Sequence, residues 1–346
     1  LFQIGPEEEA PLSVPRTNMG VAIASSMGSG SEHDGGFLSL YAIGGGSCRR
    51  RRWMPGCSFE LLKSIECYNM VEAEGSQWHI LEGCEMNVAR QKFGLVVSPN
   101  KRRLYAVGGS IRREVKAIGV VEFGRSMRYF GSSSSVESFD VECGHWWKMP
   151  RMLQPRHSLG VCMPPDAKRL YAIGGGERLY RRPTIQPRQP FNQITTEALR
   201  ASEYFDFVEN RWRSMKPMLT PRYGLGVAIS PSGKKIYAVG GCQAGRRGEG
   251  GNNDLMVLDS AECYDVDAGE WRQLPGKMKH RRWNFALVSY VHIVIGARCK
   301  RLEYAWKDSM IHYSCYVYSV SIIRQRQFQL TEGDCTLWEG ATIMNP

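Results

Sequence analysis

The sequence lacks several patterns that would place it in a common functional class. No apolar run approaches the roughly 18 to 20 residues of a membrane-spanning helix. There is no CxxC pair of the kind that builds zinc sites, and no GxxxxGK[ST] loop of the kind that cradles phosphates. No charged-then-apolar signal segment stands at the start. That last absence excludes nothing, because the chain begins at Leu1 without a methionine.

What the chain has instead is one phrase that occurs four times. The phrase is Tyr-Ala-Ile/Val-Gly-Gly, and it stands at residues 41–45, 105–109, 171–175 and 237–241. A fixed period predicts one structural unit stacked on itself. Aromatic and β-branched residues favour a buried strand. The paired glycines end that strand where a side chain would obstruct the turn or a neighbouring backbone.

Other features repeat with the same period. An arginine precedes an apolar stretch, an acidic residue is followed two positions later by an aromatic one, and a tryptophan comes next. The arginines are Arg16, Arg90, Arg156 and Arg222; the acid and aromatic pairs are Glu66 and Tyr68, Glu137 and Phe139, Glu203 and Phe205, Glu262 and Tyr264; the tryptophans are Trp78, Trp147, Trp212 and Trp271. Each unit is therefore predicted to hold four short strands, a to d. We expect the acids to cap turn amides and the tryptophans to be buried between units.

This combination resembles the kelch repeat of β-propeller proteins. The resemblance implies an all-β fold of four-stranded antiparallel blades, with repeats that begin near residues 15, 89, 155, 221 and 281. The fifth repeat is eroded. Arg282 opens it, and its strand at 293–297 keeps only one of the two glycines.

The two ends of the chain are expected to close the ring. Residues 1–4 stand where a d strand should precede the first repeat, and residues 338–344 resemble an a strand. An open ring would leave two sheet edges exposed. We therefore expect six blades, one of them shared between the termini, within a single domain over residues 1–346. The missing strands of the shared blade suggest that residues precede Leu1.

The net charge is concentrated in the b-to-c connections, at residues 46–63, 110–134, 176–200 and 242–259. They carry 17 basic and 8 acidic residues, a net charge of +9 out of +11 for the whole chain. In an antiparallel blade these connections lie on the same face as the d-to-a connections. One face should therefore attract acidic partners.

The candidate partner-binding residues are all arginines of this face. They are Arg16, Arg90, Arg156, Arg222 and Arg282 at the strand openings, and Arg49, Arg50, Arg51, Arg52, Arg112, Arg113, Arg181 and Arg182 in the connections. The alternative for the first set is pairing with acidic residues or carbonyls of the neighbouring blade. The alternative for the second is a solvated, disordered insertion. Aromatic residues interleave with the second set, as they do in protein interfaces and in single-stranded nucleic-acid sites.

Catalysis is not indicated, although some kelch propellers are copper oxidases or sugar-processing enzymes. A copper site needs convergent imidazoles, and no two of the seven histidines form a close pair. His157 and His280 lie on the basic face but two blades apart. We expect no enzyme activity, no metal and no cofactor.

The 11 cysteines are expected to be mostly buried free thiols. Cys67 and Cys263 occupy equivalent core positions of two repeats. Free thiols of this kind favour a reducing intracellular compartment, cytoplasmic or, as the alternative, organellar.

By resemblance, the chain is expected to be a protein-interaction module. Kelch-like ubiquitin-ligase adaptors hold an acidic peptide with the strand-opening arginines and the b-to-c loops, and Arg90, Arg156 and Arg222 match those positions. The alternative is a structural subunit of a large assembly, such as an organellar ribonucleoprotein, which leaves nucleic acid as a second candidate partner. No membrane span is expected.

Overall fold

The computed structural model describes residues 12–25, 38–50, 57–69, 77–115, 127–181, 193–247, 253–290 and 293–297. All regular elements in these ranges are β-strands. Over the same ranges, no helix with the length and apolarity of a membrane span is found. The predicted closing strands, at 1–4 and 338–344, lie outside these ranges, so the shared blade stays a prediction.

Each of the first four repeats contains six strands. The first has β1 (Gly20–Ser25), β2 (Leu38–Ile43), β3 (Gly46–Arg50), β4 (Cys57–Leu61), β5 (Ile65–Asn69) and β6 (His79–Ile80). The second has β7 (Gly94–Val97), β8 (Arg103–Val107), β9 (Ser110–Val115), β10 (Met127–Ser132), β11 (Val136–Asp140) and β12 (His145–Met149). The third has β13 (Gly160–Cys162), β14 (Arg169–Ile173), β15 (Gly176–Arg181), β16 (Gln193–Ala198), β17 (Ser202–Asp206) and β18 (Arg211–Ser214). The fourth has β19 (Gly226–Ile229), β20 (Lys235–Val239), β21 (Cys242–Arg247), β22 (Asn253–Val257), β23 (Ala261–Asp265) and β24 (Glu270–Gln273).

Four of the six strands in each repeat form an antiparallel blade. The strand orders are β1-β2-β5-β6, β7-β8-β11-β12, β13-β14-β17-β18 and β19-β20-β23-β24. The fifth repeat begins with an antiparallel pair, β25 (Ala286–Tyr290) and β26 (Ile293–Ala297). Each a strand packs beside the a strand of the next repeat, so the a strands are innermost. The predicted all-β kelch fold is confirmed in these blades.

The glycine pairs sit where two blades touch. Gly108 has a φ of 64°, and a Cβ atom added there would lie 2.6 Å from the main-chain oxygen of Arg156 in the next blade. The next residue, Gly109, donates its N–H to that same oxygen at 2.8 Å. No other residue type combines the left-handed backbone with this close approach. The paired glycines therefore join neighbouring blades.

The described parts of the b-to-c connections form two-stranded ribbons. The ribbons are β3–β4, β9–β10, β15–β16 and β21–β22, all antiparallel. They start directly after the glycine pairs. Contacts link β10 to β15 and β16 to β21, so successive ribbons stand side by side. We call the face that carries them the ribbon face.

The hydrophobic cores lie between blades. One cluster joins Tyr41 and Ile43 of the first blade to Leu104 and Phe139 of the second. Equivalent clusters join the second blade to the third and the third to the fourth. Each blade is thus stabilised by its neighbours, as in other repeat proteins.

The prediction that Trp147 is buried between blades was wrong. In the second blade the buried residue is Trp146, which is 4% exposed, whereas Trp147 is 54% exposed on the outer strand. Trp212 and Trp271 are buried as predicted, and Trp78 is half-buried. Three buried indoles donate to a carbonyl of the segment that leaves the preceding blade: Trp146 to Cys84 at 2.9 Å, Trp212 to Pro150 at 2.9 Å and Trp271 to Lys216 at 3.0 Å.

Most of the described cysteines follow the expectation, but Cys143 is exposed and Cys48 is not a free thiol. Cys67 and Cys263 are buried free thiols at equivalent positions, and Cys84, Cys162 and Cys242 are also buried and free. Cys48, on β3, is disulfide-bonded. The prediction of free thiols is therefore wrong for Cys48.

Candidate interaction face

A line of five residues with left-handed backbone crosses the centre of the ribbon face, and we call it the belt. Its members are Asn18 (φ 52°), Lys92 (φ 54°), Ser158 (φ 50°), Gly224 (φ 61°) and Asn284 (φ 49°). From Lys92 onward, each N–H donates to the carbonyl of the belt residue in the preceding repeat, at 2.6 to 3.0 Å. Each belt residue stands two positions after a strand-opening arginine. The belt therefore ties the innermost edges of the blades together.

The strand-opening arginines are buried inside the blades. Arg16 is 4% exposed, and Arg90, Arg156 and Arg222 are 0% exposed. In the fourth blade, the Arg222 guanidinium donates to Glu262 Oε1 at 3.0 Å and to the carbonyls of Gly240 and Ser260 at 2.8 Å. Burial lowers the pKa of Arg222, and the facing glutamate opposes that shift. The cation is thus held by a carboxylate and by main-chain oxygens.

The same arrangement occurs in all four blades. The ion pairs are Arg16 with Glu66, Arg90 with Glu137, Arg156 with Glu203 and Arg222 with Glu262. We call each ion pair a clamp, and its arginine (Arg16, Arg90, Arg156 or Arg222) a clamp arginine. A buried charge of this kind needs both a counter-charge and hydrogen bonds, and each clamp has them.

The glutamates of the clamps also cap the connection between blades, as the sequence predicted. Glu203 accepts the main-chain N–H groups of Leu153 and Gln154 at 2.7 and 3.2 Å. Glu262 accepts those of Leu219 and Thr220 at 2.7 and 3.0 Å. The clamp thus joins the strand opening, strand c and the d-to-a connection.

The positions of the clamp arginines do not support direct contact with a partner. Their guanidinium groups point into the blade, while their main chain binds the preceding blade. The N–H of Arg222 donates to Leu199, and its carbonyl accepts from Gly175 at 2.8 Å. Pairing with acids and carbonyls, the alternative that the sequence left open, describes these four residues, but the partners lie in the same blade and not in the neighbouring one. Arg282 repeats the main-chain contacts, and its side chain is half-buried.

The arginines of the ribbons are placed differently. Arg112 and Arg113 are exposed, and they donate to main-chain oxygens, Arg112 to Phe59 at 3.4 Å and Arg113 to Ser132 at 2.7 Å. The Phe59 ring meets Phe130 of the next ribbon edge to face, with 5.6 Å between centroids. The contacts of Phe59 with Arg112 and Phe130 hold the first two ribbons against each other, and Arg112 and Arg113 lie at the surface.

The other candidates in the ribbons are only partly described. The main chains of Arg49 and Arg50 lie on β3, and that of Arg181 lies on β15. Arg51, Arg52 and Arg182 lie outside the described residues. Their role in binding stays a prediction.

Arg178, one of the arginines that give the third b-to-c connection its positive charge, reaches the centre of the ribbon face. Its N–H donates to the Ser132 hydroxyl at 2.9 Å, and that oxygen lies 2.9 Å from His157 Nδ1. His157 is 2% exposed. Burial, Arg178 and Lys92 together lower the pKa of His157 to about 3, so the imidazole is neutral at physiological pH. His157 is thus hydrogen-bonded to Ser132 inside the protein, while His280 is exposed.

Exposed apolar side chains also lie on the ribbon face. Leu153 and Leu219 occupy equivalent d-to-a positions and are 61% and 49% exposed. Leu255 and Met256, on β22, are 42% and 45% exposed. Sequence reasoning missed these four side chains. Over the described part of the chain, no group of three or more His, Cys, Asp or Glu side chains is arranged to hold a metal.

Comparison with known proteins agrees with this geometry. The kelch motif model matches residues 221–278, which cover the fourth blade. The chain is 25% identical over 177 residues to the F-box protein AFR of Arabidopsis thaliana, covering 49% of this chain and 38% of that protein. It is 28% identical over 139 residues to the F-box/kelch-repeat protein OR23 of the same plant, covering 39% of this chain and 29% of that protein.

The chain therefore spans less than two fifths of the length of either relative. The four blades, their glycine pairs and the kelch motif match nevertheless agree with one another. They show kelch-type repeats in the described part of this chain, each folded as a four-stranded antiparallel blade.

Proposed function

We propose that the chain is a non-catalytic module that binds an acidic protein or peptide through its ribbon face. The observation that carries this proposal is the row of ordered ribbons, which presents Arg112 and Arg113 at the surface of a face whose connections carry a net charge of +9. A one-sided field of this kind raises the local concentration of acidic partners. Arginine adds paired hydrogen bonds to carboxylates.

The apolar side chains favour a protein over a nucleic acid. Leu153 and Leu219 are exposed on the basic face, which matches the mixed apolar and arginine-rich composition of protein interfaces. A single-stranded nucleic acid would need aromatic rings on which bases stack. Phe59 and Phe130 instead pack on each other. The alternative function, a structural subunit of a large ribonucleoprotein assembly, is distinguished by the nuclease test below.

The adaptor role is part of the same proposal. Both relatives carry the term F-box in their names, which supports the expectation from kelch-like ubiquitin-ligase adaptors that the propeller recruits a substrate. We propose a single propeller domain over residues 1–346 in a reducing intracellular compartment. The buried free thiols support that compartment, and the disulfide at Cys48 is the observation against it.

The test compares charge reversal on the two faces. In one variant Arg49, Arg50, Arg51 and Arg52 become glutamate; in the control Lys101, Arg102 and Arg103, on the opposite face, become glutamate. Partners are recovered from cell extract with each immobilised protein and quantified by mass spectrometry. We expect the first variant to lose partners that the control keeps. Equal recovery by the two variants would show that the basic face is only a solvated surface.

Nuclease and salt separate the classes of partner. A nucleic acid loses about one log unit of affinity per log unit of salt for each phosphate contacted. A folded protein partner should show a shallower slope. We expect recovery to survive nuclease and to fall gradually with salt. Loss of the partners on nuclease treatment would favour the ribonucleoprotein subunit instead.

A further inference from the structure

A cleft opens between the third and fourth blades, on the face opposite the ribbons. Its volume is about 420 Å³, and pockets of roughly 300 to 1,000 Å³ are the size that holds small molecules. The a-to-b connections of the two blades form its walls, and its apolar lining consists of Pro164, Pro165, Pro231, Val266 and Tyr171. Tyr171 is 2% exposed and belongs to the core between these blades, so it closes the cleft on its inner side.

The preceding pair of blades has an aromatic ring where this cleft is open. Phe207 and Val266 are equivalent, because each directly follows strand c and donates its main-chain N–H to the a-to-b connection of its own blade. Between the second and third blades, the Phe207 ring packs edge to face on Tyr105, with 5.6 Å between centroids. Between the third and fourth blades, Tyr171 takes the place of Tyr105, and the smaller Val266 takes the place of Phe207. The cleft therefore contains the space of one aromatic ring beside Tyr171.

Two cations stand at the edge of that space. The guanidinium carbon of Arg169 lies 4.7 Å from the centroid of the Tyr204 ring, and its side chain also hydrogen-bonds that of Tyr171. Stacking occupies the flat face of a guanidinium and leaves the N–H donors in its plane for other acceptors. Lys168, the neighbouring residue, is exposed, and neither cation forms an ion pair with the residues that the structure describes.

The acidic residues of the cleft already have partners. Asp166 Oδ1 accepts the main-chain N–H of Lys168 at 3.0 Å. Asp267 Oδ2 lies 3.3 Å from Lys234 Nζ. The lining thus has three basic and two acidic side chains, a net charge of +1. A ligand with one negative charge complements it.

We propose that this cleft binds a small aromatic carboxylate, in which one ring is joined to the carboxylate by a short chain. The ring takes the space that Phe207 fills at the neighbouring interface, edge to face with Tyr171 and against the proline walls. The carboxylate accepts hydrogen bonds from Arg169 and Lys168 at the edge of the cleft. This site is distinct from the ribbon face and does not depend on the proposed function.

The test uses phenylpropionate as the probe and isothermal titration calorimetry of the full chain as the measurement. We expect saturable binding. Phenylpropionamide, which lacks the charge, should bind about tenfold more weakly or worse, because it loses a charged hydrogen bond. Cyclohexylpropionate, which lacks the aromatic ring, should bind about threefold more weakly or worse, because it loses the edge-to-face contact.

Matched variants locate the binding. Val266→Phe copies the neighbouring interface and should abolish binding, because its ring fills the cleft as Phe207 does between the second and third blades. Arg169→Gln should weaken binding about tenfold or more. Arg103→Gln is the control, since Arg103 holds the equivalent position in the second blade and pairs with Asp140 at 3.1 Å. Thermal unfolding shows whether Val266→Phe folds; if it does not, the two arginine variants decide.

The inference is overturned if phenylpropionate gives no saturable heat, or if folded Val266→Phe binds it as tightly as the wild type does. Equal affinities of Arg169→Gln and Arg103→Gln would overturn it as well. None of these results affects the ribbon face, because the proposed function is tested by charge reversal on that face.

Discussion

The clamp arginines and the ribbon arginines lie on the same face of the blades, but the protein uses them in opposite ways. Arg156 is 0% exposed and ion-paired with Glu203, whereas Arg112 is exposed and donates to a main-chain carbonyl. The difference comes from what stands opposite each side chain. Each clamp arginine pairs with a buried glutamate on strand c, whereas the ribbon arginines lie on strands that extend away from the blade. Identical residues therefore stabilise the blades in one place and form the proposed binding surface in the other.

The largest effect should come from the buried tryptophans. Trp212→Ala removes a 5% exposed side chain and its hydrogen bond to the preceding blade, and should cost about 3–5 kcal/mol in the free energy of unfolding. Trp147→Ala, at an exposed site, should cost under about 1 kcal/mol. Urea unfolding of both variants measures the difference. Equal losses would contradict the corrected position of the repeat tryptophan.

Breaking one clamp should cost nearly as much. Glu203→Ala leaves Arg156 buried without its carboxylate and frees two main-chain N–H groups, so we expect a loss of about 3 kcal/mol or more. Adding Arg156→Met should recover part of that loss, because it removes the unpaired charge. Thermal and urea unfolding report both values. A cost below about 1 kcal/mol would show that a clamp contributes no more to the free energy of unfolding than an ion pair at the surface does.

His157 should make the protein acid-sensitive. Its folded pKa of about 3 lies below the ordinary value of 6.5, so the unfolded chain takes up a proton first as the pH falls. The contribution of His157 is therefore fully present above pH 6.5, and is lost by about 1.4 kcal/mol per pH unit between 6.5 and 3. His157→Gln should flatten this part of the profile of unfolding free energy against pH. A slope identical to that of the wild type would show that His157 is not held neutral.

The smallest stability effect should come from the ribbon arginines. Arg112→Gln with Arg113→Gln should change the free energy of unfolding by no more than about 0.5 kcal/mol, because both side chains are exposed. The same variant should bind the partner more weakly. Calorimetry of unfolding and a binding titration test the two statements separately. A large loss of stability would mean that the ribbons hold the blades together.

Parts of the candidate face could be predicted, and the reason differs from part to part. The glycine pairs and the glutamate of each blade recur at a fixed period, so their structural role is visible in the sequence. The arginines recur with the same period, yet the sequence predicts them as partner-binding residues and gives pairing only as the alternative. The tryptophan error also had a signal. Trp146 follows Glu137 by nine positions, as Trp212 follows Glu203 and Trp271 follows Glu262, whereas Trp147 does not.

The belt had a weaker signal. Asparagine or glycine stands two positions after three of the strand-opening arginines, and both residue types tolerate a left-handed backbone. In the other two repeats this position holds Lys92 and Ser158, so the pattern of asparagine or glycine is absent there. The pairing of Arg178 with Ser132 and His157 had no signal, because those residues come from different blades and lie far apart in sequence.

By itself, the sequence determined the repeated four-stranded unit, because strand propensity, the positions of the glycine pairs and the repeat period can all be read from the order of the residues. It also determined which face carries the positive charge, since antiparallel strands alternate between the two ends of a blade. Only the tertiary structure decided which arginines reach that face. Burial depends on the group that stands opposite a side chain in space, and for Arg156 that group is Glu203, 47 residues further along the chain.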